Sequence, residues 1–434
     1  MKPISRRSML KIGAVFGCTG VGIKLSYNML KDPLVKLDED LKNAIQGLPA
    51  ASISAAIFKN NQVYWSNNYG YQDISSRMVM TENSAWQSIG SISKLVVWTA
   101  IMQLVERGKL DLQRDVSDYI GFKLRSPHYP HTKITTYHLL THSSSLSSRK
   151  LMSAPYSMAD SFCKNDQEVL ETWVLRHLSP SSSEYSAELA FNNYEAGDYS
   201  SVSPDPLGVV SGYSNLNAVL AAYIVERLTG KDFESYCDET IFKPCGMIQT
   251  SWSKNESLQW MTHYEPEYSP RAPIMQAYTK AMIDQGYASK GYVSTPKGRD
   301  YIDFVNCDYF SSVYPMGLLG TSLQSLLPFF LAYLNGGKVN GYRLLKPETV
   351  KEIFTYQRKD KHSGAQLGLG WFRKFDTKGN YTWGHDGGGP GIVSSAYINP
   401  RKGAGVVLFI NNFHVNYTLR SKLLNTMNKI AFSE

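Results

Sequence analysis

The sequence predicts an α/β chain of the α+β type: an antiparallel sheet formed by both chain ends, flanked by terminal helices and joined to a mainly helical region from the middle. Three patterns carry that expectation. Near the beginning, Ile53, Ala55 and Ile57 alternate on one side of an extended segment, Asn60-Asn61 supplies a hairpin turn, and Val63 to Trp65 returns. Near the end, the apolar runs Ile392 to Ile398 and Ala404 to Ile410 are separated by Asn399-Pro400-Arg401-Lys402-Gly403, which reads as strand, turn and strand. Between these ends, Ile92 to Val105 is apolar around its whole circumference, as in a helix buried inside a protein. At 434 residues, 43% of them hydrophobic, the chain is long enough to bury a large core in one domain or two intimately joined ones.

In chain order, Ser5-Arg6-Arg7-Ser8-Met9-Leu10-Lys11 resembles a twin-arginine export signal, and a weakly apolar run from Ile12 to Ile23 follows. Residues 1–31 are therefore expected to be an export signal or an uncleaved signal anchor, giving a bacterial periplasmic or cell-envelope location and a possible inner-membrane tether. The run falls short of the about 20 apolar residues of an ordinary spanning helix. A helix near Leu34 to Ile45 and one near Leu419 to Ile430 are expected to pack on the sheet. Gly108, after Arg107, ends the buried helix. Two variable segments interrupt the middle, about 147–206 and 254–310. The first holds a helical piece near Gln167 to Leu178 and a soft stretch from Ser179 to Ser203, and it should border the site's mouth. The second carries aromatic residues, among them Trp260, Tyr264, Tyr268 and Tyr278, whose stems suit a binding groove and plain packing equally. Between the two, the turn Gly212-Tyr213-Ser214-Asn215 starts a helix from about Leu216 to Leu228. A later helix, near Leu326 to Leu334, takes Ser325 as N-cap and places Pro328 in the first turn, where its missing amide hydrogen costs little.

Three short words carry the chemistry. In Ser91-Ile92-Ser93-Lys94, residues three apart share a helix face, so the Ser91 hydroxyl stands beside the Lys94 amine. An ordinary lysine, with a pKa near ~10.4, accepts no proton at neutral pH; burial in the apolar helix is what turns Lys94 into a base. Ser91 also sits near the positive end of the helix dipole, where free amides favour an oxyanion at an attacked carbonyl. In Tyr213-Ser214-Asn215, the spacing of two aims phenol and amide to one side of a loop. Tyr213 then relays a proton, and Asn215 holds a substrate carbonyl or Lys94 in place. In His385-Asp386-Gly387, a strand reaching from Tyr381 to His385 runs into the glycines Gly387 to Gly391, which permit close backbone approach by a ligand. The Gly388 amide is the candidate second oxyanion donor, opposite that of Ser91.

In this order the three words resemble the serine β-lactamase and penicillin-binding protein superfamily, specifically its class C β-lactamase, DD-peptidase and esterase branch. Further blocks match in order: Leu104 to Leu112, Ile134 to His142, Tyr314-Pro315-Met316-Gly317 and Leu334-Asn335-Gly336-Gly337. The resemblance implies a β-lactamase/DD-peptidase-like fold over residues 32–434, with the site between sheet and helical region. It also implies an exported serine hydrolase cleaving an amide or ester through a covalent acyl-enzyme, of the β-lactamase, D-Ala peptidase or esterase type. Ser91 would be nucleophile, Lys94 and Tyr213 the base pair, and Asn215, His385, Gly387 and Gly388 the substrate-binding set. The alternative is a non-catalytic penicillin-recognising or cell-wall binding protein that kept the fold; such a protein would ordinarily have lost Ser91, Lys94 or Tyr213.

Two departures from the family pattern matter. His385 stands where many relatives carry lysine; histidine is mostly neutral at pH 7, and the charge of Asp386 next to it, though on the opposite strand face, further disfavours anionic substrates. Ser145 stands where relatives often have glycine, which should alter the loop's backbone. His138-Leu139-Leu140-Thr141-His142 imitates a zinc-protease helix but lacks the glutamate after His138, so neither metal nor cofactor is expected. The formal charge of +8 falls to +3 without Lys2, Arg6, Arg7, Lys11 and Lys24, which argues against nucleic acid as a partner and leaves a small molecule or peptide. Beyond the signal, Cys163, Cys237, Cys245 and Cys307 suit disulfides or free buried thiols equally.

Overall fold

The computed structural model describes residues 32–47, 51–148, 168–197, 212–253, 255–266, 283–284, 289–291, 301–303, 311–359, 365–375, 379–389, 391–411 and 417–433. The expected signal, Cys163, Cys307, about half of the first variable segment and most of the second lie outside them. The principal elements are α1 (Pro33–Gly47), β1 (Ser52–Lys59), β2 (Gln62–Asp73), β3 (Met78–Val79), α2 (Lys94–Glu106), α3 (Leu216–Thr229) and α4 (Leu323–Leu334). They continue as β4 (Arg358–Lys359), β5 (Gln366–Leu367), β6 (Phe372–Phe375), β7 (Tyr381–Gly389), β8 (Ile392–Asn399), β9 (Ala404–Ile410) and α5 (Tyr417–Ala431).

Nine strands form one antiparallel sheet in the order β4-β5-β6-β7-β8-β9-β1-β2-β3, so the chain ends meet at the β9–β1 pair, with Ile53 opposite Ile410 and Phe58 opposite Gly405. Asn60 and Asn61 both take the left-handed conformation, φ 55° and 58°, that a two-residue hairpin needs and asparagine tolerates. The sheet is covered on both faces. Ile53, Ala55, Ile57, Val406, Leu408 and Ile410 face Leu37 and Leu41 of α1 and Leu423 and Met427 of α5. Ala56, Phe58, Val407 and Phe409 face the main core, which includes α2 and α3. Burial on both faces explains why β1 reads as apolar beyond its alternating positions.

The middle is helical, as expected, but it also contains a four-stranded sheet in the order Thr250–Ser251, Gly320–Ser322, Ser84–Trp86, Gln259–Trp260. Two aromatic residues of the second variable segment pack inward rather than lining a groove. Tyr264 is buried with its hydroxyl bonded to Asp73 at 3.2 Å, and the Trp260 ring lies against Gly320. Cys237 and Cys245 are buried free thiols.

The start of α4 differs from the sequence expectation. Ser322, not Ser325, is the N-cap, accepting the Ser325 amide at 3.2 Å, while the Ser325 hydroxyl accepts the Gln249 amide at 2.9 Å. Pro328 therefore falls inside the helix, where it cannot donate to the Gln324 carbonyl one turn back. Pro328→Ala is expected to raise the unfolding free energy by about 1 to 3 kcal/mol, read as a shifted urea midpoint at constant slope.

Candidate active site

Gly90–Ser93 form a 3-10 turn that passes directly into α2, tighter than the single α-helix expected, and Ser91 lies in it. Hydroxyls strap this turn to its neighbours. Ser88 Oγ donates to the Gly317 carbonyl at 2.7 Å and accepts the Gly90 amide at 3.0 Å. Ser93 Oγ donates to the Gly90 carbonyl at 2.6 Å and accepts the Leu319 amide at 3.1 Å, while Ser394 Oγ of β8 donates to the Ile89 carbonyl at 2.8 Å.

Lys94 is 0% exposed, on the first position of a helix buried on all sides through Leu104. Its Nζ donates to Ser91 Oγ at 2.9 Å and to the Met316 carbonyl, and no carboxylate is among its described partners. Burial pushes this amine well below the ordinary lysine range. Tyr213 Oη donates to Ser91 Oγ at 2.8 Å, and burial raises the phenol above its usual range, so it keeps its proton. The structure thus brings Ser91 and Lys94 together as the spacing predicts, and places Tyr213 with them as the resemblance implies.

Asn215 opens α3 and donates its backbone amide to Ser148 Oγ at 3.0 Å. Its side chain makes no described hydrogen bond to Lys94, because the Met316 carbonyl occupies that role.

His385 is buried on β7 and donates from Nδ1 to the Asp386 carbonyl, which makes Nε2 the lone-pair nitrogen. Burial, then the nearby Lys94, lower its pKa to about 4, so the imidazole is neutral at pH 7. Its ring lies 5.9 Å from that of Tyr213 and 4.9 Å from that of Phe372. Asp386 does turn to the opposite face, but its charge is compensated there by Lys374, Arg420 and Ser395 Oγ. Burial works to raise that carboxyl, and Lys374 and Arg420 overcome it, holding the pKa down to about 2. The expected repulsion of anions by Asp386 is thereby cancelled, and the neutrality of His385 is what distinguishes the position.

Gly387 of β7 also has a backbone neighbour that needs it. A Cβ on Gly387 would strike the Ile89 carbonyl oxygen and stand 3.2 Å from Ser91 N; one on Gly90, at φ 59°, would stand 2.5 Å from Gly388 N. Glycine is needed on both sides because two backbones touch, and this contact sets the Ser91 and Gly388 amides beside each other.

Sequence reasoning missed Met316, Phe372 and His142. The first acts through its carbonyl, which leaves no side-chain signal. His142 was visible only as half of a false zinc motif; its other half, His138, instead closes a helix cap with Thr135, each accepting the other's amide at 3.2 Å. Ser145 keeps the backbone that glycine would take, at φ 66°, so the loop is strained rather than rebuilt, and its buried hydroxyl has no described partner.

The sequence model of the Beta-lactamase family matches residues 41–424, and the chain belongs to that family, within the serine β-lactamase and penicillin-binding protein superfamily of serine hydrolases. It is 25% identical to PbpX of Bacillus subtilis over 323 residues, 67% of this chain and 66% of that one. It is 24% identical to protein flp of Staphylococcus aureus over 231 residues, 53% of this chain and 40% of that one, so it spans less than two thirds of either relative. Three solved structures share the fold. The octameric penicillin-binding protein homologue of Pyrococcus abyssi superposes with TM-score 0.66 at 20% identity, covering 92% of this chain and 77% of that one. The D-amino acid amidase of Ochrobactrum anthropi, complexed with L-phenylalanine amide, gives 0.65 at 18%, covering 92% and 99%. EstCE1, described as a hydrolase with promiscuous acyltransferase activity, gives 0.64 at 17%, covering 91% and 98%.

Ser145→Gly is expected to stabilise the protein by about 1 kcal/mol, relieving left-handed strain and an unsatisfied hydroxyl at some cost in chain entropy. Thermal unfolding of the two proteins at one pH measures it, and an unchanged midpoint contradicts the strain.

Proposed function

We propose that this protein is an exported serine hydrolase that cleaves an amide or ester through an acyl-enzyme on Ser91. The observation that carries the reading is the Ser91 hydroxyl held at once by a desolvated, carboxylate-free Lys94 and by Tyr213, at 2.9 and 2.8 Å. Neutral Lys94 takes the Ser91 proton as Oγ bonds to the carbonyl carbon, and the oxygen's new charge faces the Ser91 and Gly388 amides. Tyr213 gives its proton to the leaving nitrogen or oxygen and regains one from Lys94, and the C–N or C–O bond breaks. Water then attacks the acyl group, its proton passing through the same pair back to Ser91, and a carboxylic acid leaves.

The buried, neutral His385 favours acyl donors that do not depend on a carboxylate for binding, which ranks esters and amides ahead of penicillins and D-Ala-terminated peptides. The amidase and EstCE1 among the structural neighbours support that ranking by analogy of fold. The sequence Ser5-Arg6-Arg7 supports export and a cell-envelope location, with residues 1–31 as signal or tether.

Purified protein and a Ser91→Ala control, exposed to a fluorescent penicillin and to short-chain p-nitrophenyl esters, are followed by intact mass. An acyl adduct on the wild type alone is expected; no adduct from either class overturns the reading. Label that persists marks a penicillin-binding peptidase, rapid loss a β-lactamase, and ester turnover without penicillin label the carboxylate-independent site.

Lys94→Arg is expected to lower acylation about 10²- to 10⁴-fold, since a guanidinium cannot serve as the base. In the wild type the base form of Lys94 is present above its depressed pKa. Activity is therefore present above that depressed pKa and lost as the pH falls through it, a limb the kcat/KM profile reads directly.

A further inference from the structure

Beneath the phenol of Tyr213 lies a histidine that the mechanism above does not use. The His142 ring stacks on the Tyr213 ring with centroids 4.4 Å apart and planes 30° from parallel. Phe372 and His385, the other described rings beside Tyr213, stand farther off, at 6.2 and 5.9 Å. His142 is buried and takes a left-handed backbone, φ 50°, which brings its side chain under the loop that carries Tyr213.

Its ring nitrogens have distinct roles. Nδ1 accepts the Ser214 backbone amide at 3.3 Å and the Asn217 side-chain amide at 3.0 Å. The orientation of Asn217 is fixed independently, because its Oδ1 accepts the Ser144 hydroxyl at 2.5 Å and leaves Nδ2 as the donor. Nδ1 is thus the lone-pair nitrogen. Burial opposes protonation of this ring, and the Arg358 charge, with any charge that Lys94 or His385 would take up, opposes it further. The same loop grips the Tyr213 turn twice more: Ser148 donates its amide to Ser214 Oγ at 3.2 Å, and Ser148 Oγ accepts the Asn215 amide at 3.0 Å.

One residue therefore fixes both the plane of the Tyr213 ring and the backbone that follows it. A phenol has two free side-chain torsions, and a proton relay needs its oxygen within hydrogen-bond reach of Ser91 throughout the reaction. We propose that His142 is the positioning residue of Tyr213, holding the phenol on Ser91 by ring stacking and by accepting the Ser214 amide. The inference rests on the acyl-enzyme reading above.

The test is a double-mutant cycle read by the rates at which a fluorophosphonate, a general serine probe, phosphonylates Ser91 with loss of fluoride and a p-nitrophenyl ester acylates it. His142→Asn keeps an acceptor near the Nδ1 position and suits a positive φ, but removes the stacking ring; His142→Phe keeps the ring and removes the acceptor. Each is expected to slow acylation about 30-fold with little change in KM, within the about 10²-fold that misplacing a reacting group by ~1 Å costs. In a Tyr213→Phe background, where no phenol remains to be placed, the same substitutions are expected to cost less than about 3-fold. Equal losses in both backgrounds, or none in either, overturn the proposal, and thermal unfolding identifies any variant that lost its fold. Where one variant does not fold, the other completes the cycle. A wild type that neither probe labels overturns the acyl-enzyme reading itself and this inference with it, whereas labelled wild type with additive losses overturns the inference alone.

Discussion

The burial of Lys94 without a carboxylate is the constraint on which the rest of the structure depends. An ammonium removed from water with no counter-ion costs several kcal/mol, so the group is retained by giving up its proton. The surrounding fold keeps water away from it: α2 is apolar on every side, α3 packs along it, and the main core joins both to the sheet. A carboxylate beside Lys94 would restore the charge and remove the base. Among the described residues, the acceptors at Nζ are both neutral, Ser91 Oγ and the Met316 carbonyl.

Positioning around that amine is carried by small hydroxyls rather than by ion pairs. Ser88, Ser93 and Ser394 fix the nucleophile turn, and Ser144, Ser148 and Ser214 fix the loops that present Tyr213 and Asn215. A short side chain that both donates and accepts links backbone to backbone without adding charge near a group whose function depends on neutrality. The charged cluster of the third word, Asp386 with Lys374 and Arg420, lies on the other face of β7 and ties the catalytic strand to α5. The charge of Asp386 is in that sense kept from Ser91 by topology, since strand alternation puts His385 on one face and Asp386 on the other.

Much of this was legible in the sequence, because spacing encodes shared faces. The spacing of three from Ser91 to Lys94 set hydroxyl and amine beside each other, and apolar runs located α2 and the β8–β9 hairpin to within a residue or two. What failed to read was set by partners distant in the chain. Ser322 and Ser325 are three apart and both precede apolar residues, so only the Gln249 amide, far upstream, shows which serine is the cap. The need for glycine at 387 arises in part from the Ile89 carbonyl, nearly three hundred residues earlier. A glycine-for-serine difference at 145 reads as a changed loop, whereas the left-handed backbone is kept by the contacts of its neighbours on Asn217 and Ser214.

Histidine appears twice in the site, and the two rings share one logic. His385 and His142 each have one nitrogen satisfied by backbone, donating at Nδ1 in the first and accepting there in the second. Both are buried near Lys94, and burial and the positive charge that Lys94 would carry push each toward neutrality. Neutral rings in turn leave Lys94 free of neighbouring cations, so its depressed pKa follows from desolvation rather than from charge repulsion. A base tuned this way holds its proton affinity as ionic strength changes, because salt screens charges and leaves a dry cavity unaltered. The same neutrality leaves no fixed cation at His385 to anchor a carboxylate, so the proposed base and the proposed preference for carboxylate-free acyl donors rest on one physical cause, burial.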